Sequence, residues 1–250
     1  MQTFLINLDR STDRLASADA QLRKAEIPYD RISAVDGSLL DQSGIAGLDQ
    51  RKAAELFTSP LRVGEIGCYL SHMRAVEKIV ALDLPFAMVL EDDFKFLETS
   101  IPTLKALEYV LDGNGIESWD VINLGNAARK IYHNLPSDAL NETTAQLCRA
   151  LYFPVTTTGL IWSQIGARRF LAQGAHIYEP VDGTLQRLLG LSGRGLAFRN
   201  PVISTIGATS TIGKTGVSEM VMKNPSLPYR AGRYGRALYR YVVGPERDKT

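Results

Sequence analysis

The sequence predicts an α/β fold, with a parallel sheet in the first half, a more mixed arrangement in the second, and one shared core. Three observations predict it. The stretch Phe86 to Phe96, FAMVLEDDFKF, runs apolar residues Ala87 to Leu90 directly into Glu91, Asp92 and Asp93, as a short buried strand of a parallel sheet would. Thr3 to Val35 reads strand, helix, strand, the unit that sets two parallel strands side by side. Beyond Gly125 the pattern weakens, and it turns β-rich from Leu147 to Ser163.

The elements follow in order. Thr3 to Leu8 is a strand; Ser11 or Thr12 caps a helix that runs to about Ala25 with Leu15, Ala18 and Leu22 on one face. Pro28 stops it, and Tyr29 to Val35 is a second strand ending in Asp36-Gly37. Ligands of such sheets bind beyond the carboxyl ends of the strands, where Asp9 and Asp36 both fall. Residues 38–60 are a loop with a short helix. Gly64 to Leu82 is a strong helix, because Ile66, Tyr69, Leu70, Met73, Val76, Ile79 and Val80 share a stripe. Leu84-Pro85 leads into the Phe86 strand, Ile101 to Leu111 is a helix, and Asp120 to Leu124 a strand. Gly125 to Thr144 is a loop or small hairpin. Helices over Gln164 to Ala172 and Thr184 to Leu191 and a strand from Leu196 to Ile206 complete the domain.

At 250 residues, 45% hydrophobic and 22% charged, the chain has the composition of a globular protein with a substantial core. A net charge of +1 gives no sign of a nucleic-acid partner. Cys68 and Cys148 stand alone without CxxC spacing, so the expectation is two buried free thiols in a reducing compartment. The start MQTFLINLDR is not that of a signal peptide, and no apolar run reaches spanning length. A cytoplasmic location is expected, and the sequon at Asn141 reads as incidental. Residues 223–250 carry seven basic against two acidic side chains, and Tyr234, Leu238, Tyr241 and Val242 recur at i, i+4, i+7 and i+8 opposite Arg233, Arg236 and Arg240. This basic amphipathic tail suits either a membrane surface or packing on the domain.

Three acids at one strand end repel one another and desolvate poorly. A divalent cation with a preference for oxygen removes that cost; a solvated turn is the plainer alternative. Gly213-Lys214-Thr215 ends like a phosphate loop, but position 208 is Ala where the pattern needs Gly. His72, His133 and His176 have no metal spacing, and His72 reads first as a half-buried structural residue and second as a ligand contact. In Glu179-Pro180-Val181-Asp182-Gly183, Asp182 reads as an N-cap, as a general base, or as both.

Several segments together resemble glycosyltransferase family 25, the lipooligosaccharide galactosyltransferase group related to the collagen galactosyltransferases. They are INLDRSTDRL, SAVDG at Ser33 to Gly37, GEIGCYLSHMRAVEKIV at Gly64 to Val80, MVLEDDF at Met88 to Phe94, TTGLIWSQIGARRFL and EPVDGTL. The resemblance implies a GT-A fold, a Rossmann-type nucleotide half over about 1–125 and a mixed acceptor half over about 126–222, with the tail from 223. It implies a nucleotide-sugar donor, UDP-galactose first, a divalent metal, Mn²⁺ before Mg²⁺, and a glycolipid or oligosaccharide acceptor of a lipopolysaccharide core. Asp93 would then hold the metal, and Glu91 or Asp92 would contact ribose or sugar. Asn7, Arg10, Arg14, Asp36 and Gly37 would line the nucleotide pocket, and Thr157, Thr158 and Gly159 would border the sugar. Asp182 would be the base of an inverting transfer, with Glu179 in reserve. Two other functions compete with this one: a glycosidase using paired carboxylates, and a non-catalytic relative that binds nucleotide sugar or glycan.

Overall fold

The computed structural model describes residues 1–57, 59–113, 115–125, 131–135, 146–206 and 226–243. Asn141 and Gly213-Lys214-Thr215 lie outside them. Strand β1 (Gln2–Asn7), helix α1 (Thr12–Lys24) and strand β2 (Asp30–Ser33) come first, then two short 3₁₀ turns and α2 (Gln50–Phe57). Next are α3 (Val63–Ala81), β3 (Phe86–Glu91), β4 (Phe94–Phe96), α4 (Ser100–Asp112), β5 (Val121–Asn123), β6 (Tyr132–Asn134) and β7 (Leu147–Ala150). The rest are β8 (Gly159–Ser163), α5 (Gln164–Gln173), α6 (Val181–Ser192), β9 (Gly195–Phe198), β10 (Ile203–Thr205) and α7 (Leu227–Val243).

Eight strands form one sheet in the order β2-β1-β3-β8-β5-β9-β7-β6. β1 pairs in parallel with both β2 and β3, and β8 runs antiparallel between β3 and β5. The fold is therefore α/β with a parallel end and a mixed end in one sheet. Side chains alternate across it. Phe4 and Ile6 of β1 and Ala87 and Val89 of β3 face a layer containing Ile66, Tyr69, Phe170 and Leu185 from α3, α5 and α6. Leu5, Met88 and Leu90 face the other layer, with Leu22, Leu104 and Leu107 from α1 and α4. Burial on both faces explains why β3 reads as an unbroken apolar run. From β1 the chain goes to one neighbour, β2, and later to the other, β3. The crevice beyond β1 and β3 is thus a topological switch point, where ligands of open α/β sheets bind.

Several expectations change. The Leu196 to Ile206 strand is two strands in different sheets: β9 sits in the main sheet, while β10 pairs with β4. Arg199, Asn200, Pro201 and Val202 divide them, and Pro cannot donate to a ladder. The β-rich run from Leu147 likewise breaks into β7 and β8. Asp182 is not an N-cap, since α6 begins one residue earlier with Pro180 at the cap, leaving Asp182 in the first turn. His72 is fully buried rather than half-buried. The structure buries Cys148 but leaves Cys68 partly exposed. In α7, Arg233 was expected on the solvated basic side, yet it is 7% exposed and Ala237 one turn later is 2% exposed. Ion pairing, rather than hydropathy, decides which side turns inward.

Helix α3 is locked against the turn after β2. A Cβ on Gly67 would lie 2.6 Å from the Val35 carbonyl oxygen, and one on Gly37 would lie 1.8 Å from that of Val63. Ser71 Oγ accepts from the Val35 amide at 2.8 Å in the same contact. Gly67→Ala is therefore expected to destabilise the fold by about 1–3 kcal/mol through overpacking. Gly44→Ala, whose Cβ would meet nothing within 4 Å, should stay within about 1 kcal/mol of the wild type. Urea unfolding of the two variants checks the contrast.

Candidate active site

A cavity of about 180 Å³ opens at the switch point, lined by Asn7, Arg10 and Arg14 from the β1–α1 segment and by Asp36 and Gly37 from the turn after β2. Cys68, Ser71 and His72 of α3 and Glu91, Asp92 and Asp93 at the end of β3 complete it. All eight positions named for nucleotide and metal thus share one cavity, although their sequence separation reaches 86 residues, from Asn7 to Asp93. Parallel pairing makes this necessary: Ile6 lies beside Glu91 and Asn7 beside Ser33.

The three acids have different surroundings. Glu91 accepts from Thr157 Oγ1 at 2.6 Å and Cys68 Sγ at 3.8 Å, and lies 2.9 Å from His72 Nε2. Burial raises its pKa, but hydrogen bonds and charge from His72, with Thr157 and Cys68, more than offset this and hold it below the usual value. Asp92 takes Asn7 Nδ2 on one oxygen at 2.7 Å and pairs with Arg14 through the other. Burial still leaves its pKa raised, against the pull of Asn7 and Arg14. Asp93 sits 3.3 Å from Arg14 through Oδ2, while its Oδ1 is buried with no hydrogen-bond partner. Burial first, then the Glu91 charge, push Asp93 up to about 6.

That orphaned oxygen is the observation that fits a cation. A hard divalent ion accepts carboxylate oxygens and would remove the cost of a buried anion, so Asp93 is suited to hold one. Cys68, His72 and Glu91 also place one donor atom each within 4.8 Å of one another, but Glu91 Oε1 is already engaged by all three of its neighbours. Positive charge comes from Arg10, which pairs with Asp36, and from Arg14. Asp36 also receives the Ser38 amide at 3.0 Å, which shapes the turn. Arg31 braces the floor, donating to Asn7 Oδ1 at 3.0 Å and Asp9 Oδ1 at 2.5 Å.

Thr157 and Thr158 border the acidic end: the Thr157 hydroxyl is spent on Glu91, and the Thr158 carbonyl accepts the Glu91 amide at 2.9 Å. Asp182 is not part of the cavity lining. It lies near enough for Glu65 and Glu91 to act on its carboxyl, which burial above all raises, against the Gly183 amide donating at 2.7 Å. Glu179, the reserve base, does not line the cavity. It is fully buried and engaged by Arg187, Arg233 and Tyr229. Sequence reasoning gives Cys68 and Ser71 no place in the cavity and a ligand contact to His72 only as its second reading. Their signal is the spacing: three polar or soft residues at i, i+3 and i+4 lie on one face of the helix.

The family model described as glycosyltransferase family 25 (LPS biosynthesis protein) matches residues 1–185. The chain is 30% identical over 188 residues to procollagen galactosyltransferase 2 of Homo sapiens, covering 72% of this chain and 29% of that protein. It is 34% identical over 188 residues to inactive glycosyltransferase 25 family member 3 of Mus musculus, covering 72% and 30%. It therefore spans less than a third of the length of these relatives. A solved glycosyltransferase involved in glycosylation of the major capsid of PBCV-1 aligns at a TM-score of 0.45 and 7% identity, covering 97% of this chain and 98% of that one. With both chemistry-bearing motifs, the β3 acids and the α3 helix, inside the matched region, the chain belongs to glycosyltransferase family 25.

Proposed function

We propose that the chain is an inverting glycosyltransferase that moves galactose from UDP-galactose onto a glycan of the lipooligosaccharide or lipopolysaccharide core type, with Mn²⁺ bound at Asp93. The observation that carries this reading is the buried, unpartnered Asp93 oxygen in a cavity that also holds Arg10 and Arg14. Relatives named as galactosyltransferases support the choice of sugar. A bound cation would supply charge stabilisation for the departing diphosphate.

The remaining work falls to the chain itself. Arg10 and Arg14 place fixed positive charge beside the diphosphate, where negative charge grows as the sugar leaves. Asn7, Asp36 and Gly37 bound the nucleotide pocket. Asp182 accepts the proton of the acceptor hydroxyl as its oxygen bonds to the anomeric carbon. The bond from that carbon to the diphosphate oxygen breaks, and its electron pair leaves with UDP. Burial raises the Asp182 pKa, which makes it a stronger base than an exposed aspartate.

Helix α7 supports a peripheral membrane location on the cytoplasmic side, beside a lipid-linked acceptor. Tyr234, Leu238, Tyr241 and Val242 are all exposed, with Arg236 among them, while no helix among the described residues is long and apolar enough to span a membrane. The family also contains relatives named inactive, which favours one second reading, a non-catalytic binder of nucleotide sugar.

UDP-galactose, Mn²⁺ and a core glycolipid extract should yield free UDP. Asp93→Asn is expected to lower that rate by about 10²–10³-fold, and Asp182→Asn by about 10²–10⁴-fold at nearly unchanged donor KM. Mn²⁺ with UDP should raise the melting temperature of the wild type but not of Asp93→Asn; equal stabilisation of both rejects the metal assignment. Stabilisation without UDP release, across donors and acceptors, would establish the non-catalytic reading instead. Anionic vesicles should sediment the protein at low salt and release it at high salt. Retention in the supernatant at low salt counts against the membrane role of α7.

A further inference from the structure

Glu179 is the most completely buried acid of the described residues, at 0% exposure, and the mechanism above leaves it unused. It stands three residues before Asp182, and Gln186 stands four after. A single side chain joins the two. Arg233 Nη2 donates to Glu179 Oε2, and Arg233 Nη1 donates to Gln186 Oε1 at 3.0 Å. The Arg233 side chain is 5% exposed, and its guanidinium lies 4.4 Å from the Tyr229 ring centroid. Tyr229 adds its own hydroxyl to Glu179 at 2.8 Å, and Arg187 closes the other oxygen. Gln186 then passes the restraint on, donating to the Phe153 carbonyl at 2.6 Å.

Both Arg233 and Tyr229 belong to α7, which lies beyond the residues 1–185 that match the family. The same helix is tied to the first half of the chain. The Ser226 amide donates to the Leu56 carbonyl at 2.9 Å, and Tyr229 meets Phe57 edge-on at 5.7 Å. Helix α7 therefore bridges α2 and the turn that carries Asp182. A fork of fixed geometry is suited to this, because guanidinium holds two acceptors at once in a set direction.

We propose that Arg233 is a positioning residue for Asp182: by gripping Glu179 and Gln186 on either side, it fixes the first turn of α6 and so aims the Asp182 carboxylate at the acceptor hydroxyl. The proposal rests on the reading of Asp182 as the base. Its charge also acts on Asp182: Arg233 opposes the upward push of burial on the carboxyl, which keeps it ionised and able to accept a proton at some loss of basicity.

The test compares Arg233→Met, Arg233→Lys and the double variant Glu179→Gln/Arg233→Met in the full chain. Each is assayed for kcat and donor KM, for UDP-plus-Mn²⁺ affinity by calorimetry, for melting temperature, and for amide exchange over residues 181–186. Arg233→Met should lower kcat by about 100-fold, the scale of a misplacement near 1 Å, with donor KM and UDP affinity within about twofold. Exchange over 181–186 should speed up relative to β1 and β3. Lysine should rescue kcat in part, since charge returns without the fork.

The double variant removes both charges of the Glu179–Arg233 pair, though Arg187 loses its carboxylate partner, and should recover part of the stability while kcat stays low. A double variant with wild-type melting temperature and wild-type kcat would overturn the proposal, as would a loss confined to donor KM. If Asp182→Asn turns over like the wild type, it is the base assignment that fails. Exchange then decides for Arg233 alone: unchanged exchange over 181–186 in Arg233→Met removes it as a positioning residue, and faster exchange retains it.

Discussion

Glu91, Asp92 and Asp93 must coexist at the buried end of one strand, and this constraint organises the parallel half of the molecule. Like charges this close are tolerated only when each meets its own compensation. The residues that answer them come from α3 and the β8 approach for Glu91, and from β1 and α1 for Asp92. Asp93 is left with one oxygen unanswered. The asymmetry is one of partners: Glu91 and Asp92 are each held by several groups, while Asp93 keeps one buried oxygen with none.

The second constraint is steric. Gly37 and Gly67 allow the turn after β2 and the start of α3 to meet backbone to backbone. That approach brings Asp36 and the polar face of α3 to the same cavity as the β3 acids. Two motifs about 30 residues apart in sequence are thus halves of one contact, a spacing read directly from Gly37 and Gly67. Because the turn holds Asp36 and the helix holds His72, packing and electrostatics cannot vary independently here. A shift of α3 would also move the hydrogen-bonding partner of Glu91.

The mixed half follows a different logic. Its strands are three to five residues long and interleave with those of the parallel half, so periodicity over so few residues says little about pairing. β4 gives no signal for that reason, β6 falls where a loop or small hairpin is expected, and β9 and β10 read as one strand. Glu179 shows the same limit in a side chain. Beside Asp182 in sequence it looked like a spare base, but burial among Arg187, Arg233 and Tyr229 makes it an anchor for α7. Those partners lie 8, 54 and 50 residues away, beyond the reach of any local pattern.

The sequence by itself determined what repeats or clusters locally. The buried run into three acids, the strand–helix–strand start and the stripe of α3 each follow from side-chain chemistry over a few turns; the shared pocket of Asn7, Arg10, Arg14, Asp36 and Gly37 is implied by the family resemblance of their motif blocks. Only the tertiary structure decided which acid keeps an oxygen without a partner, because that depends on groups brought in from other strands and helices. It also decided that Cys68 and His72 face the cavity, that Asp182 lies beside it and not in its lining, and that α7 turns an arginine inward. The physical reason is common to all four. Hydropathy patterns record how much of a side chain avoids water, whereas the role of a buried charge is set by the few ångströms between it and its counter-charge.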